Sequence, residues 1–552
     1  MEGSLDMFIG LIVALLFFSF NASAESLNVA LNKPYVVNLS ANIPYTDTGG
    51  ELTDGVHAKA FLGDKAWQGF ARMDYRIVVV DLGGIYSIDQ IKLGSLKDEG
   101  SNVWFPSNMS LALSNDGVNW RVINDNYYSS KDFPPKPTTL GELELSASGE
   151  QGRYVAIKFE VGFWVFVDEL EVWGNLVAES IDKSKLDEIN YKDINEVMLK
   201  FFNKSAYEKT EGEMLHASEQ TGGAKDILLV YDQASSIRWN ELYANPYVAY
   251  LDKNFEPKDW FFDTFLFLAL TTPSGRNFGA PPYADKADWQ WWLWRMFESG
   301  YGFDAFNRAV TTAGEKLGDS SYKAKVIVMI PYPVEEPNHA FDKDNPGYLN
   351  ANKIGREAAA KNRLEVVKWY ISEFEKLWDA AGYDRLELIG YYWLSENLDR
   401  NSLDRLYLPQ VGNLVREKGY RFFWIPWFMA PGYSDWQELG FDAVMLQPNY
   451  MFVHESAKSR LSKAGAEAKR YGLGLEFEAD PSIFRNAEKR ERWYDYLRAT
   501  NTLGYDKNIL RGYYQDVDIL GTASRSSEPE LREIYDKMYE FVKGTFTETI
   551  TE

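Results

Sequence analysis

The feature that most constrains this chain is a set of eight apolar, strand-length runs alternating with segments long enough to hold a helix. The runs are DILLVYD from Asp226, DTFLFLAL from Asp263, KVIVMIPYP from Lys325, LELIGYYW from Leu386, RFFWIPWF from Arg421, AVMLQPNY from Ala443, GLGLEFE from Gly472 and ILRGYYQD from Ile509. Amphipathic helical patterns lie between them, at 362–382 and 455–472, and a closing one starts at Glu528. Strands alternating with helices predict a parallel sheet with crossover connections, and eight of them close a (β/α)8 TIM barrel, here residues 225–552. An open doubly wound sheet would announce itself by a glycine-rich turn after its first strand, and Tyr231-Asp232-Gln233-Ala234 is not one.

Strand polarity then locates the candidate site. Side chains alternate across a strand, so with Leu473, Leu475 and Phe477 under the helices, Glu476, Glu478 and Asp480 share the inner face. On the fourth strand Tyr392 and Glu396 fall in one phase. Other strand ends add Asp232 and Gln233, then Gln447, Asn449 and Tyr450, and finally Gln515 and Asp516. A cap or loop role suits Asp232, Asp480 and Asp516 better than it suits Glu396 or Glu478. Acids that converge on a barrel mouth suit glycoside hydrolysis, which needs two carboxyls about 5–5.5 Å apart for retention or roughly 6.5–9.5 Å apart for inversion. One of the two must hold its proton, and Tyr391, Tyr392 and Trp393 beside Glu396 are expected to desolvate it. The four Trp of DWQWWLWRMFE, from Asp288, read mainly as core and secondarily as a sugar-stacking wall. The four His show no zinc spacing, and the barrel segment has no G-x-S-x-G elbow.

One Glu ending strand four and another ending strand seven resemble the large clan of retaining glycosidases built on this barrel. The resemblance implies Glu396 as general acid/base and Glu478 as nucleophile, with Glu476 as the second candidate. Ser395 stands where that clan has Asn. Over its length this part is also similar to a family of secreted bacterial proteins known only as a domain of unknown function (4855-like).

Residues 25–175 are short β-runs between turn residues, which predicts an antiparallel sandwich. Ala30-Leu31-Asn32-Lys33-Pro34, Leu52-Thr53-Asp54-Gly55, Val80-Asp81-Leu82-Gly83, Ser114 to Trp120, Arg153-Tyr154-Val155 and Glu169 to Gly174 follow one another in an order that resembles a discoidin (coagulation-factor C type) domain, a jelly roll. The resemblance implies carbohydrate binding and a structural calcium ion near Asp54 and Glu169, against a plain turn-and-strand role for both. Exposed loop aromatics for sugar would come from Trp67, Trp104, Phe105 or Trp164. Residues 176–224 read as a helical connector.

Composition bounds the rest. A net charge of −23 argues against nucleic acid or an anionic membrane as partner. Cysteine is absent, which excludes disulfides, thiolate metal sites, a cysteine nucleophile and a lipidated N-terminal Cys. Residues 1–24 hold a short apolar run, Phe8–Phe20, and a small-residue ending, which predicts a cleaved secretory signal and a secreted or periplasmic protein. The expectation is a secreted glycoside hydrolase with a carbohydrate-binding-like module and no catalytic cofactor. The alternative is a non-catalytic polysaccharide-binding or cell-surface interaction protein on a barrel scaffold. Nothing in the sequence indicates the oligomeric state.

Overall fold

The computed structural model describes residues 26–71, 74–106, 108–128, 136–345, 347–398, 402–452 and 457–550. The expected signal segment lies outside them. The chain divides into two compact units, residues 1–197 and 198–552.

The first unit is an antiparallel sheet assembly. Its strands are β1 (Leu27–Asn28), β2 (Tyr35–Val37), β3 (Gln68–Ala71), β4 (Asp74–Asp98), β5 (Asn108–Ser114), β6 (Arg121–Tyr127), β7 (Thr138–Val161) and β8 (Trp164–Glu179). They run β1-β8-β4-β7-β5-β6, with β2 added to β4 and β3 to β8. Alternate side chains such as Val78, Val80, Leu111, Leu113, Val155 and Ile157 close one apolar core. Two of the quoted motifs meet in space: Arg153 donates to both carboxylate oxygens of Asp81, at 2.8 and 3.0 Å. The last strand runs to Glu179, past the expected boundary at 175, and helix α1 (Tyr191–Lys200) follows.

The second unit begins with the short α2 (Ser205–Glu208) and contains a closed barrel of eight parallel strands. In chain order these are β9 (Asp226–Tyr231), then, after the two-stranded β10 (Ala249–Leu251) and β11 (Pro257–Trp260), β12 (Thr264–Leu268), β13 (Ala324–Ile330), β14 (Leu386–Trp393), β15 (Arg421–Trp424), β16 (Ala443–Leu446), β17 (Gly474–Glu478) and β18 (Arg511–Tyr514). Each falls within one of the eight runs or within a residue of it, and β18 pairs back onto β9 with Arg511 opposite Asp226. Helix α3 (Glu241–Val248) follows β9, and α4 (Lys286–Met296) and α5 (Gly302–Leu317) follow β12. Then come α6 (Ala351–Ile354) and α7 (Arg356–Ala381) after β13, α8 (Leu408–Glu417) after β14, α9 (Ser459–Tyr471) after β16, α10 (Ala487–Leu503) after β17, and α11 (Ile519–Ser524) and α12 (Pro529–Val542) after β18. The β15–β16 connection departs from strict alternation, holding only a 3-10 turn at Tyr433–Asp435.

Local sequence sets where several of these helices stop. Helices α7, α9 and α10 end at Gly382, Gly472 and Gly504, each in the left-handed region at φ 60°, 66° and 69°. A residue without Cβ takes that conformation at no steric cost and lets its N–H close the last turn. Among the described residues no helix is long and apolar enough to cross a membrane.

Candidate functional site

A cavity of about 170 Å³ opens at the carboxyl ends of the barrel strands. Leu229, Leu268, Leu394 and Ile425 supply its apolar lining, and Glu396, Glu476, Glu478, Gln447, Asn449 and Tyr392 its polar lining. Tyr231, Tyr514 and Phe452 complete the rim with Leu270. Of the candidate residues of the barrel, the six of the polar lining therefore share one cavity. Strand phase explains which. Tyr392 lies two residues beyond Gly390, on the face opposite Tyr391 and Trp393, and Glu396 reaches the cavity from three residues past the end of β14.

The other candidates are placed elsewhere, Gln233 accepting from the Leu270 N–H at 3.1 Å. Asp232 follows the inward Tyr231 and so faces outward, where Arg295 of α4 pairs with it at 2.8 Å. Burial pushes its carboxyl up to about 6, against the pull of that guanidinium. Tyr450 follows the inward Asn449 and donates to Asp495 of α10 at 3.1 Å. Gln515, next to the inward Tyr514, accepts from Tyr247 at 2.7 Å and donates to the Val517 carbonyl at 2.9 Å, tying the strand end to α3 and α11. Asp516 sits past the strand in the left-handed region at φ 51°. Asp480 also leaves the inner row, because the strand ends at Glu478 and its carboxylate accepts from the Ser482 N–H at 2.6 Å as a cap. The Trp cluster is core where it is buried, since Trp289 packs on Phe341 and Tyr370, and none of its residues lines the cavity. Tyr391 and Trp393 pack on Phe374 and Tyr407 rather than on Glu396.

The three carboxyls differ in their partners. Glu478 accepts from the Tyr496 hydroxyl of α10 and from the backbone N–H of Asn449, which sits in the left-handed region at φ 57°. Burial pushes its carboxyl up to about 7, and these two donors hold it from going higher by favouring the charged form. Glu476 is pushed well above the ordinary carboxylate range, first by burial and then by the charges of Glu478 and Glu396. Glu396 is raised by desolvation, opposed by a hydrogen bond from Gln447, whose amide also donates to the Ile425 carbonyl at 2.9 Å. Its surface is exposed at the mouth while the cavity walls crowd it.

Tyr231, Tyr514, Phe452 and Tyr496 were not among the expected site residues. The first two were legible from strand phase, and their rings meet edge-on at 5.6 Å. Tyr496 reaches in from a helix, where nothing in the local pattern marks it.

In the first unit, Glu169 is 1% exposed. One of its carboxylate oxygens accepts from the Gly55 N–H at 3.1 Å and the other is buried with no hydrogen-bond partner. Burial, and then the nearby charge of Asp54, pushes it up to about 7 against that hydrogen bond. An orphaned oxygen beside a second carboxylate is a donor set that suits a hard cation, although among the described residues no group of three or more acidic or His side chains gathers for a metal. Of the proposed sugar-binding aromatics, Trp67 is buried and donates to the Lys59 carbonyl, whereas Trp104 is 43% exposed.

Solved structures similar to part of the chain include the C-terminal domain of a chitobiase from Bacteroides fragilis, 19% identical over 28% of this chain and 99% of that one, with a TM-score of 0.21. Chitosan-binding module 1 of a chitosanase/glucanase from Paenibacillus sp. IK-5 is 17% identical over 27% and 99%, with a TM-score of 0.20. A module from Clostridium perfringens, in complex with GalNAc-β-1,3-galactose, is 17% identical over 27% and 98%, with a TM-score of 0.21. No curated protein matches the chain. The family described as "Domain of unknown function (DUF4855)" matches residues 226–540, more than half of the chain and the whole of the barrel, so the protein belongs to that family.

Proposed function

We propose that this protein is a glycoside hydrolase whose (β/α)8-type barrel cleaves a glycan with Glu396 as acid/base and Glu478 as nucleophile. The observation that carries the reading is the convergence of Glu396, from beyond β14, and Glu478, at the end of β17, on one cavity. Their environments separate their roles. Glu478 has two donors that favour its carboxylate form, so it ionises ahead of Glu476, whereas desolvation by the cavity walls shifts Glu396 towards its protonated form. In a retaining cycle Glu396 protonates the leaving oxygen as Glu478 attacks the anomeric carbon. Water, deprotonated by Glu396, then releases the sugar.

Turnover of a panel of plant, microbial and animal glycans by the wild type, Glu396→Gln and Glu478→Gln tests the assignment. Each variant should lose roughly 10³-fold or more in kcat/KM, and cleavage retained by both would refute it. Binding without turnover by the wild type would move the chain to the non-catalytic, carbohydrate-binding reading. The first unit enters the proposal as a carbohydrate-binding module with a structural calcium ion at Asp54 and Glu169. Calcium should raise the melting temperature over a chelated sample, and Glu169→Gln should abolish the rise. A wild type indifferent to chelation would remove the ion.

A further inference from the structure

Three carboxyls enter the cavity, and the two-carboxylate mechanism uses only two. Glu476 is the third. It is 3% exposed, shares the inner face of β17 with Glu478, and makes no hydrogen bond among the described residues. No Lys, Arg or His lines the cavity among those residues. Its surroundings are instead the rings of Tyr231, Tyr392 and Tyr514 and an apolar lining.

A buried carboxyl with neither cation nor donor is costly, so its retention in a binding cavity needs a ligand that supplies what the protein omits. A uronate or a sulfated sugar would bring an anion to a cavity already lined by three carboxyls. A neutral sugar offers hydroxyl donors but no charge. A protonated amine offers both, and the faces of tyrosine rings favour a cation. At about 170 Å³ the cavity is smaller than the roughly 300–1,000 Å³ of sites for drug-sized ligands, which suits a single ring.

We infer that the cavity takes a sugar ring bearing a protonated primary amine, held by an ion pair between that ammonium and Glu476. The inference rests on the sugar-cleaving reading above and names its substrate class. Calorimetry on the full chain tests it, with the methyl glycosides of glucosamine, galactosamine and mannosamine each set against its neutral parent and its N-acetylated form, and galacturonate as the anionic control. At least one amine should bind about tenfold or more tighter than its neutral and N-acetylated counterparts. In Glu476→Gln that preference should shrink to about twofold or less, because one charge-assisted contact is lost. Equal binding of amine and neutral forms, tighter binding of galacturonate, no binding by any amine, or an undiminished preference in the variant would each overturn the inference. The wild-type comparison needs no variant, so a misfolded Glu476→Gln leaves the test intact. Amine selection without cleavage of the matching polymer would sink the hydrolase reading and spare this one, whereas cleavage of neutral glycans alone would do the reverse.

Discussion

The outer and inner faces of the same barrel treat buried carboxylates in opposite ways. On the helix-facing side Asp226 of β9 lies against Arg511 of β18, with Nε 2.7 Å and Nη2 3.1 Å from its oxygens, and accepts from the Tyr513 hydroxyl at 2.6 Å. Asp232 at the far end of the same strand has Arg295, and Asp495 of α10 has Lys458 at 3.5 Å. On the inner face Glu476 and Glu478 are equally buried, yet no cation lines their cavity among the described residues. Pairing is what a buried charge needs if its role is to hold elements together. Glu396 is exposed at the mouth and Glu478 has two donors and feels the charge of Arg460, so Glu476 is the acid left without donor or cation among the described residues, and such an arrangement is expected where a ligand or a reaction completes the site.

The comparison breaks most easily on its outer face. Arg511→Met would leave Asp226 buried and unpaired, and should cost about 3–5 kcal/mol in chemical denaturation. The double change Arg511→Met with Asp226→Leu should recover most of that loss. A single variant within about 1 kcal/mol of wild type would show that the outer pair is not structural. On the inner face, Tyr496→Phe removes a donor that favours ionised Glu478, so its carboxyl should move further up. The acid limb of the kcat/KM profile should shift by about one pH unit to higher pH, roughly tenfold in rate below the limb and little above it. A uniform fall at every pH would mean that Tyr496 merely packs.

Much of this was legible in the sequence, and the misplaced strand-end residues have one cause. All eight strands lie where the apolar runs are, because a parallel strand covered on both faces must be nearly continuous in apolar residues. The phase argument that places Glu476 and Glu478 together was not carried to the other strand ends, where polarity was taken as the signal instead. Hence Tyr450 and Gln515, polar but out of phase, stood among the candidates beside Asp232, for which a cap or loop role was the better fit, while the inward Tyr231 and Tyr514 did not. Tyr496 and the Asn449 N–H were not legible at all. One depends on how α10 packs over β17 and the other on a left-handed backbone angle past β16. The sequence pattern also supplied a helix between every pair of strands in expectation, but the eighteen residues from Ile425 to Asp442 carry five aromatics, two glycines and two prolines and hold only the 3-10 turn at Tyr433–Asp435.

The smallest expected effect is a dependence of stability on pH set by the inner carboxyls. Their folded values lie above the ordinary 4.5, so between that value and the raised one the folded state holds protons that the unfolded chain has released. Stability from this source is therefore fully present below about pH 4.5 and is lost as pH rises, through about 7 for Glu478. Glu476→Gln removes the carboxyl that burial and its two acidic neighbours push well above the ordinary range. The decline in unfolding free energy between pH 5 and pH 8 should then be shallower than in the wild type by about 1 kcal/mol, measured by urea denaturation at both pH values. Parallel declines would mean that Glu476 exchanges no proton in that range, and the inner face would then be no more strained than the paired outer one.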